Sequence, residues 1–246
     1  MCNRYTPGRY DDPVFARLGR TWGDLLPRDF AKIGPYGPAP IFRPHAAGGV
    51  EVVLAQWGMI RPGSPLRRPL AKDGRPLLTN NARSETMRKL PTFRQAWERG
   101  QRCLIPAYGF DEPNWESGRN VWWEMRRADR QPWGVAGLWS DWTDPDTGEI
   151  VPSFTMPTIN VDHHPLLNRL HKPDPKLPPD AQDKRAIVPL DPDAWATWLT
   201  GTPEEAWALL QPLPAEIFDA GPAEGRLREL ALTAPLPDPA DPHETP

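Results

Sequence analysis

Cysteine is scarce: two residues, Cys2 and Cys103, in a chain of 246. That is too few for a disulfide framework. No apolar run approaches the roughly 20 residues that a membrane span needs. The opening residues have no basic segment followed by a hydrophobic one, so no secretory leader is expected. Neither sign of charge dominates, with 29 Lys and Arg against 32 Asp and Glu. The net charge of −3 therefore gives no overall pull toward nucleic acid. Histidine is also sparse, at five residues. Asp162, His163, His164 and His171 lie close in sequence, but their spacing matches no familiar zinc signature and no cysteine pair completes it. No metal and no cofactor are expected. These absences, with 39% hydrophobic and 25% charged residues, predict a cytoplasmic, globular, monomeric protein without membrane contact.

Proline and tryptophan, by contrast, are abundant, at 34 and 12 residues. So many prolines favour short elements and long ordered loops over long helices. The tryptophans admit core packing or, where exposed, stacking on nucleobases. Charge is unevenly spread. Between Arg61 and Arg102 there are 11 basic residues against 3 acidic ones, and from Thr202 to Pro246 there are 2 against 9. The first run is either an ordinary solvated face or an electrostatic footprint for phosphates.

Hydrophobic patterning predicts strands over Glu51–Trp57, Arg102–Pro106, Asn120–Arg127, Pro132–Trp139, Pro152–Asn160 and Arg185–Leu190. Short helices are expected over Asp11–Leu18, Thr92–Gly100 (with Thr92 and Gln95 as a capping box) and Val161–Leu170. Two more begin at Asp191-Pro192 and at Thr202, where Glu205 completes a capping box. The first forty-five residues read as largely irregular, and Gly34–Pro40 as incompatible with regular structure. Together these predict one α+β domain over 1–232, built on a curved, largely antiparallel, barrel-like sheet flanked by short helices. A Pro- and acid-rich tail over 233–246 is expected to be disordered.

Four clusters carry candidate chemistry. The first is Cys2-Asn3-Arg4. An initiator methionine is usually trimmed before a small residue, so the mature chain is expected to begin at Cys2. A terminal cysteine joins an amine, of ordinary pKa about 7.7–8.0, to a thiol, of ordinary pKa about 8.5. That aminothiol can capture an aldehyde as an imine and close through sulfur to a thiazolidine, or attack an acyl group as an N-terminal nucleophile. The second is Thr79 to Thr86, where an extended backbone would project Asn81 and Arg83 from one face. There they offer an orienting amide and a phosphate-binding guanidinium, or simply an Asx turn and a surface arginine. The third places Glu112 just past an apolar strand end, where partial burial would raise its pKa and exposure would not. The fourth puts His171 at a helix end, either titrating near neutrality or meeting the helix dipole. Cys103, in the run Cys103-Leu104-Ile105-Pro106, reads as a buried thiol.

Taken together, these segments resemble the SOS-response-associated peptidase (SRAP) family, proteins that crosslink covalently to abasic sites in DNA. The matching strings are Met1-Cys2 with Arg4, Trp57-Gly58, Asn81-Ala82-Arg83-Ser84-Glu85-Thr86, and Arg102 to Ala107 leading to Gly109 and Glu112. Ala136-Gly137-Leu138-Trp139, Ser153-Phe154-Thr155, His171 and Arg185 to Leu190 follow in family order. The resemblance implies that Cys2 is the nucleophile, that Asn81 places it and the sugar, and that Glu112 shuttles protons. It implies that His171 lies beside the reacting sugar and its phosphate. Arg4, Asn81 and Arg83 would then bind single-stranded DNA containing abasic sites. The family name also implies an alternative, an autoprocessing cysteine peptidase acting through Cys2; the basic stripe and the tryptophans leave a second, a non-covalent single-strand-binding module. The sequence departs from the family pattern at Asn3, where glycine is usual, and at Asp111-Glu112-Pro113, where aromatics usually flank the glutamate. A Pro-rich insertion also follows His171-Lys172.

Overall fold

A computed structural model describes residues 2–8, 12–18, 32–71 and 73–224. Its frame is a closed ring of five strands. β1 (Tyr5–Pro7) precedes the ring, which begins with β2 (Pro38–Pro44) and β3 (Val50–Trp57); β4 (Asn81–Arg83) lies outside it. β5 (Arg102–Asn114), β6 (Val121–Arg127), β7 (Trp133–Thr143) and β8 (Ile150–Asn160) follow. The ring runs β2-β3-β8-β7-β5 and returns to β2 where Phe42 faces Leu104. All of its pairings are antiparallel except β3 with β8. The α+β, barrel-like expectation thus describes the fold, with one parallel seam added.

Both faces of these strands are covered and contribute to the core. Ile41, Phe42, Trp57, Leu104, Ile105, Val135, Leu138, Phe154 and Met156 are all fully buried. Burying each such side chain contributes roughly 1.5–3 kcal/mol. Gly137 is needed here: a Cβ at that position would lie 2.6 Å from Cys103 Sγ and 2.7 Å from Ile105 Cδ1. Cys103 is buried as expected, and burial pushes its thiol well up. Trp57, Trp97, Trp133, Trp142, Trp195 and Trp198 are core residues. Of the described tryptophans, only Trp122 is substantially exposed.

Helices are short, as the prolines require. α1 (Ser84–Met87) and α2 (Pro91–Glu98) follow β4, and α3 (Trp195–Thr200) and α4 (Pro203–Ala208) come late in the chain. The Thr202–Glu205 capping box forms at α4. The one expected at Thr92 does not. Pro91 takes the first helical position of α2 and Leu90 the cap, leaving Thr92 inside the first turn. Val161–Leu170 is a set of turns with one 3₁₀ segment, Leu167–Arg169, rather than a helix. Arg185–Leu190 is split at Val188 into β9 (Arg185–Ile187) on β8 and β10 (Pro189–Leu190) on β7. Pro38-Ala39-Pro40, read as irregular, begins β2. Its prolines sit on strand positions that need no ladder N–H from them. Asp11–Leu18 is seen as a 3₁₀ segment over Pro13–Leu18, with residue 11 outside the described residues. The tail over 233–246 lies outside them too, as does the C-terminal part of the acidic run. β11 (Phe218–Pro222) closes the described chain against β6.

Candidate active site

The long strand β5 organises the site. Its first half pairs with β7 and its second half, Phe110 to Asn114, with β6. β1 lies antiparallel beside its middle, Tyr5 facing Phe110 and Thr6 facing Gly109. The Asp111 N–H donates to the Arg4 carbonyl at 2.9 Å. Continuing that register brings Cys2 alongside Glu112 and Pro113. Glu112 is therefore inside a strand, not beyond its end as the sequence suggested, and it is 1% exposed.

Cys2 is fully buried. Its carbonyl accepts from Asn81 Nδ2 at 2.6 Å and from Asn80 Nδ2 at 3.2 Å. Asn80 also donates to Asn3 Oδ1 at 2.9 Å. Asn81 opens β4, which runs parallel to β8 with Asn81 opposite Met156, and Asn80 lies in the bend just before it. Asn81 Oδ1 is buried with no hydrogen-bond partner among the described residues. The Cys2 thiol lies 3.6 Å from the Arg4 carbonyl. Burial first, and the Glu112 charge second, push that thiol well above its ordinary range.

His171 reaches the same place from the opposite side. Its N–H donates to the Pro113 carbonyl at 2.6 Å, and its φ is +64°, a left-handed conformation uncommon outside glycine. Its ring Nε2 lies 2.7 Å from the Arg185 carbonyl and 3.5 Å from Glu112 Oε2. A carbonyl can only accept, so the neutral ring carries its proton on Nε2. Burial, with Lys184 adding to it, holds His171 down at about 4, so it is neutral at pH 7. Burial pushes Glu112 up to about 7, with Asp111 adding to the rise. The site thus holds a carboxyl that exchanges a proton near neutrality beside an imidazole that does not.

Cys2, Asn81, Glu112 and His171, the four residues expected to act together, do converge. Arg4 and Arg83 are at the margin and already engaged. Arg4 Nε donates to Asp111 at 2.5 Å, and Arg83 pairs with Asp183 at 2.5 Å. Three residues support these four in roles the sequence reading did not give them. Asn80 shares the grip on Cys2. Lys184, 6% exposed, donates from Nζ to the carbonyls of Leu170 (2.7 Å) and His171 (2.6 Å), holding the strained turn. Arg185 makes two bonds of 2.7 Å to the Glu85 carboxylate and one to the Thr158 carbonyl, which fixes the carbonyl that orients His171. The doubled Asn80-Asn81 and the Lys184-Arg185 pair ahead of a buried strand were the available signals. Among the described residues no cluster of His, Cys, Asp and Glu has the geometry to hold a metal.

A sequence model of the family described as SOS response associated peptidase (SRAP) matches residues 1–228. The chain belongs to the SRAP family. A protein from Bordetella bronchiseptica of known crystal structure is 32% identical to it, with a TM-score of 0.76, over 90% of this chain and 99% of that one. A Bacteroides thetaiotaomicron protein shares the fold at 22% identity and a TM-score of 0.70, covering 89% of this chain and 90% of that one. The Xenopus tropicalis protein named abasic site processing protein HMCES is 28% identical over 116 residues. That match takes in 40% of this chain and 34% of the relative, so the chain spans about a third of its length. No helix of the described residues is long and apolar enough to cross a membrane.

Proposed function

We propose that this SRAP protein processes abasic sites in single-stranded DNA by capturing the ring-opened sugar through Cys2 once Met1 is removed. The observation that carries this reading is the meeting of Cys2, Asn81, Glu112 and His171, with Asn81 on the Cys2 carbonyl and His171 beside Glu112. The name of the Xenopus tropicalis relative supports the substrate.

The chemistry follows from the groups present. The neutral Cys2 amine adds to the aldehyde carbon, C1′, giving a carbinolamine. Protonated Glu112, available because its pKa is about 7, delivers a proton to the departing hydroxyl. Water leaves and a protonated imine remains. The Cys2 sulfur then bonds to C1′, its proton passing to Glu112 and the electron pair of the C=N bond returning to nitrogen. One aldehyde and one aminothiol become one thiazolidine and one water. A buried thiol of raised pKa suits this order, because nitrogen attacks first and sulfur follows once the imine sits beside it. Neutral His171 is oriented by its Nε2–H on the Arg185 carbonyl. Buried Asn81 Oδ1, unpartnered among the described residues, is an acceptor for the sugar or its water. A buried terminus admits an unpaired nucleotide far more readily than one held in a duplex.

The test is an abasic oligonucleotide mixed with purified protein. A denaturant-stable band is expected for wild type and none for Cys2→Ala. Intact mass should read loss of Met1 and gain of one oligonucleotide less one water. A wild-type protein that keeps Met1, or gives no adduct, overturns the reading. The family's description as a peptidase favours a second one, in which Cys2 attacks an acyl bond. Fragment release from peptides with turnover, lost in Cys2→Ala, would select it.

A further inference from the structure

A cleft opens beside His171. It has a volume of about 590 Å³, and it lies between the β5–β6 turn, which carries Trp115 and Glu116, and the Pro-rich insertion that follows Lys172. Pro173, Pro175, Leu177 and Pro179 form one wall and Trp115 the other, with His171 and Lys184 at the inner end.

Both walls are held in shape. Gln182 clasps the insertion through four bonds: its Oε1 accepts from the Asp174 N–H at 2.7 Å, and its Nε2 donates to the carbonyls of Asp174, Leu177 and Pro178 at 3.3, 3.0 and 2.8 Å. The opposite wall is held by the two-point pair of Arg169 with Glu116, at 2.8 and 2.9 Å. Asn114 Oδ1 also accepts from the Glu116 N–H at 3.1 Å. The Arg169 and Asn114 bonds hold the Glu116 carboxyl at about 2, so that pair stays charged across the neutral range.

The arginine and the lysine lining this cleft are already used. Arg169 is committed to Glu116, and Lys184 to two backbone carbonyls. Lys172 lies over the Trp115 ring, 5.0 Å from its centroid. A phosphate seeks uncommitted donors and would find few here. A flat, weakly polar ring would find a tryptophan, proline faces and amide edges, which is what a stacked base needs. The volume suits a single nucleotide-sized group and no duplex.

We infer that this cleft is a nucleobase subsite, taking the base of the nucleotide next to the reacting abasic sugar by stacking against Trp115 and the proline wall. His171 lines this cleft and lies 3.5 Å from Glu112, so a base seated here would set the neighbouring sugar toward Cys2. The inference rests on the proposed function for its ligand, and the insertion makes the subsite a property of this chain's own sequence.

The test uses oligonucleotides whose abasic site has a normal base on both sides, or a baseless tetrahydrofuran spacer replacing the base on one side or the other. For wild type, replacement on one side should slow crosslinking about fivefold or more, and on the other side should not. Trp115→Ala should slow the normal substrate by the same factor and lose its response to the spacer. Trp115→Phe, which keeps a stacking ring, should restore both. Anisotropy titrations of Cys2→Ala protein, with a tetrahydrofuran at the central position, read the same preference without a covalent step. If no oligonucleotide crosslinks while the anisotropy preference stands, the covalent reading falls and the subsite remains. If crosslinking proceeds at one rate whatever flanks the lesion, or Trp115→Ala stays as sensitive to the spacer as wild type, the subsite is overturned.

Discussion

Asp111 and Glu112 are consecutive carboxylates on β5, each 1% exposed, and they live in opposite electrostatic worlds. Strand alternation sends them to opposite faces. Asp111 accepts from Arg4 at 2.5 Å and from Lys32 at 2.7 and 2.8 Å. Glu124, directly across the ladder from Asp111 and fully buried, adds a second acid, paired with Arg126 and 3.7 Å from Lys32. Two carboxylates facing each other across a ladder repel, and three cations offset them. Glu112 faces Cys2 and His171 instead, and its carboxyl rises to about 7. Burial is the same on both faces. The company each acid keeps separates a carboxylate that holds a lysine and an arginine from a proton carrier.

The comparison makes opposite predictions for two nearly isosteric changes. Asp111→Asn removes one member of a buried charge cluster and strands Lys32 and Arg4. It should destabilise the fold by about 3–5 kcal/mol, read as a lower urea midpoint at unchanged m. Glu112→Gln should do the reverse above neutrality. A carboxyl whose folded pKa is raised keeps its proton in the native state after the unfolded chain has released it. Native stability therefore falls as pH climbs from about 4.5 to about 7, and the whole cost is present above 7. The glutamine, which cannot ionise, escapes that cost. A shift from 4.5 to about 7 corresponds to roughly 3 kcal/mol. Glu112→Gln should thus match wild type at pH 4 and exceed it at pH 8. Equal stability at both values would mean that Glu112 titrates as an ordinary surface acid, and the contrast between the faces would be gone.

A smaller effect should appear in the rate. The amine must be neutral, which favours high pH, while Glu112 must carry a proton, which favours low pH. With ordinary amine values of about 7.7–8.0 and Glu112 at about 7, crosslinking should pass through a maximum between roughly pH 7 and 8. Glu112→Gln should crosslink more slowly at that maximum, by roughly 10²-fold, and lose the alkaline decline. A falling alkaline limb that survives in the variant would assign it to another group.

How much of this was legible in the sequence depends on whether a local rule or a distant partner was in control. The Thr202–Glu205 cap, the turn-bounded strands and the buried Cys103 obey local chemistry and form as read. Thr92 failed as a cap because Pro91, one residue earlier, fits the first helical position better. The barrel's parallel seam between β3 and β8 joins segments about a hundred residues apart, which no periodicity encodes. Cys2, Asn81, Glu112 and His171 were named from motifs. That Glu112 lies inside β5 rather than past its end depends on β1 and β6 flanking it, which is a tertiary fact. Asp111 was visible as a departure from the family's aromatic, but its meaning required Lys32 and Glu124. Lys184 is a buried prop because the Leu170 and His171 carbonyls it serves belong to turns where a helix had been expected, and Arg185, expected to open a strand, is buried there and serves the Thr158 carbonyl on β8.

The smallest predicted effect tests how Arg4 is aimed on the cationic face. Its guanidinium sits over Trp122, 4.5 Å from the ring centroid, while Asp111 holds Nε from beneath. Trp122 is 38% exposed, and such a contact is worth only about 0.5–1 kcal/mol at an exposed site. Trp122→Leu keeps most of the apolar cover and removes the ring's negative face. Its direct cost should be below 1 kcal/mol, within the ordinary range for surface changes. The informative quantity is its coupling with Asp111→Asn. If the ring and the carboxylate together fix one orientation of Arg4, each loses part of its value when the other is gone, and the double-mutant cycle should return a coupling of about 0.5–1 kcal/mol. A coupling indistinguishable from zero would show that Asp111 alone orients Arg4. The ring would then be a bystander, and the cationic face would be organised entirely from the buried acids outward.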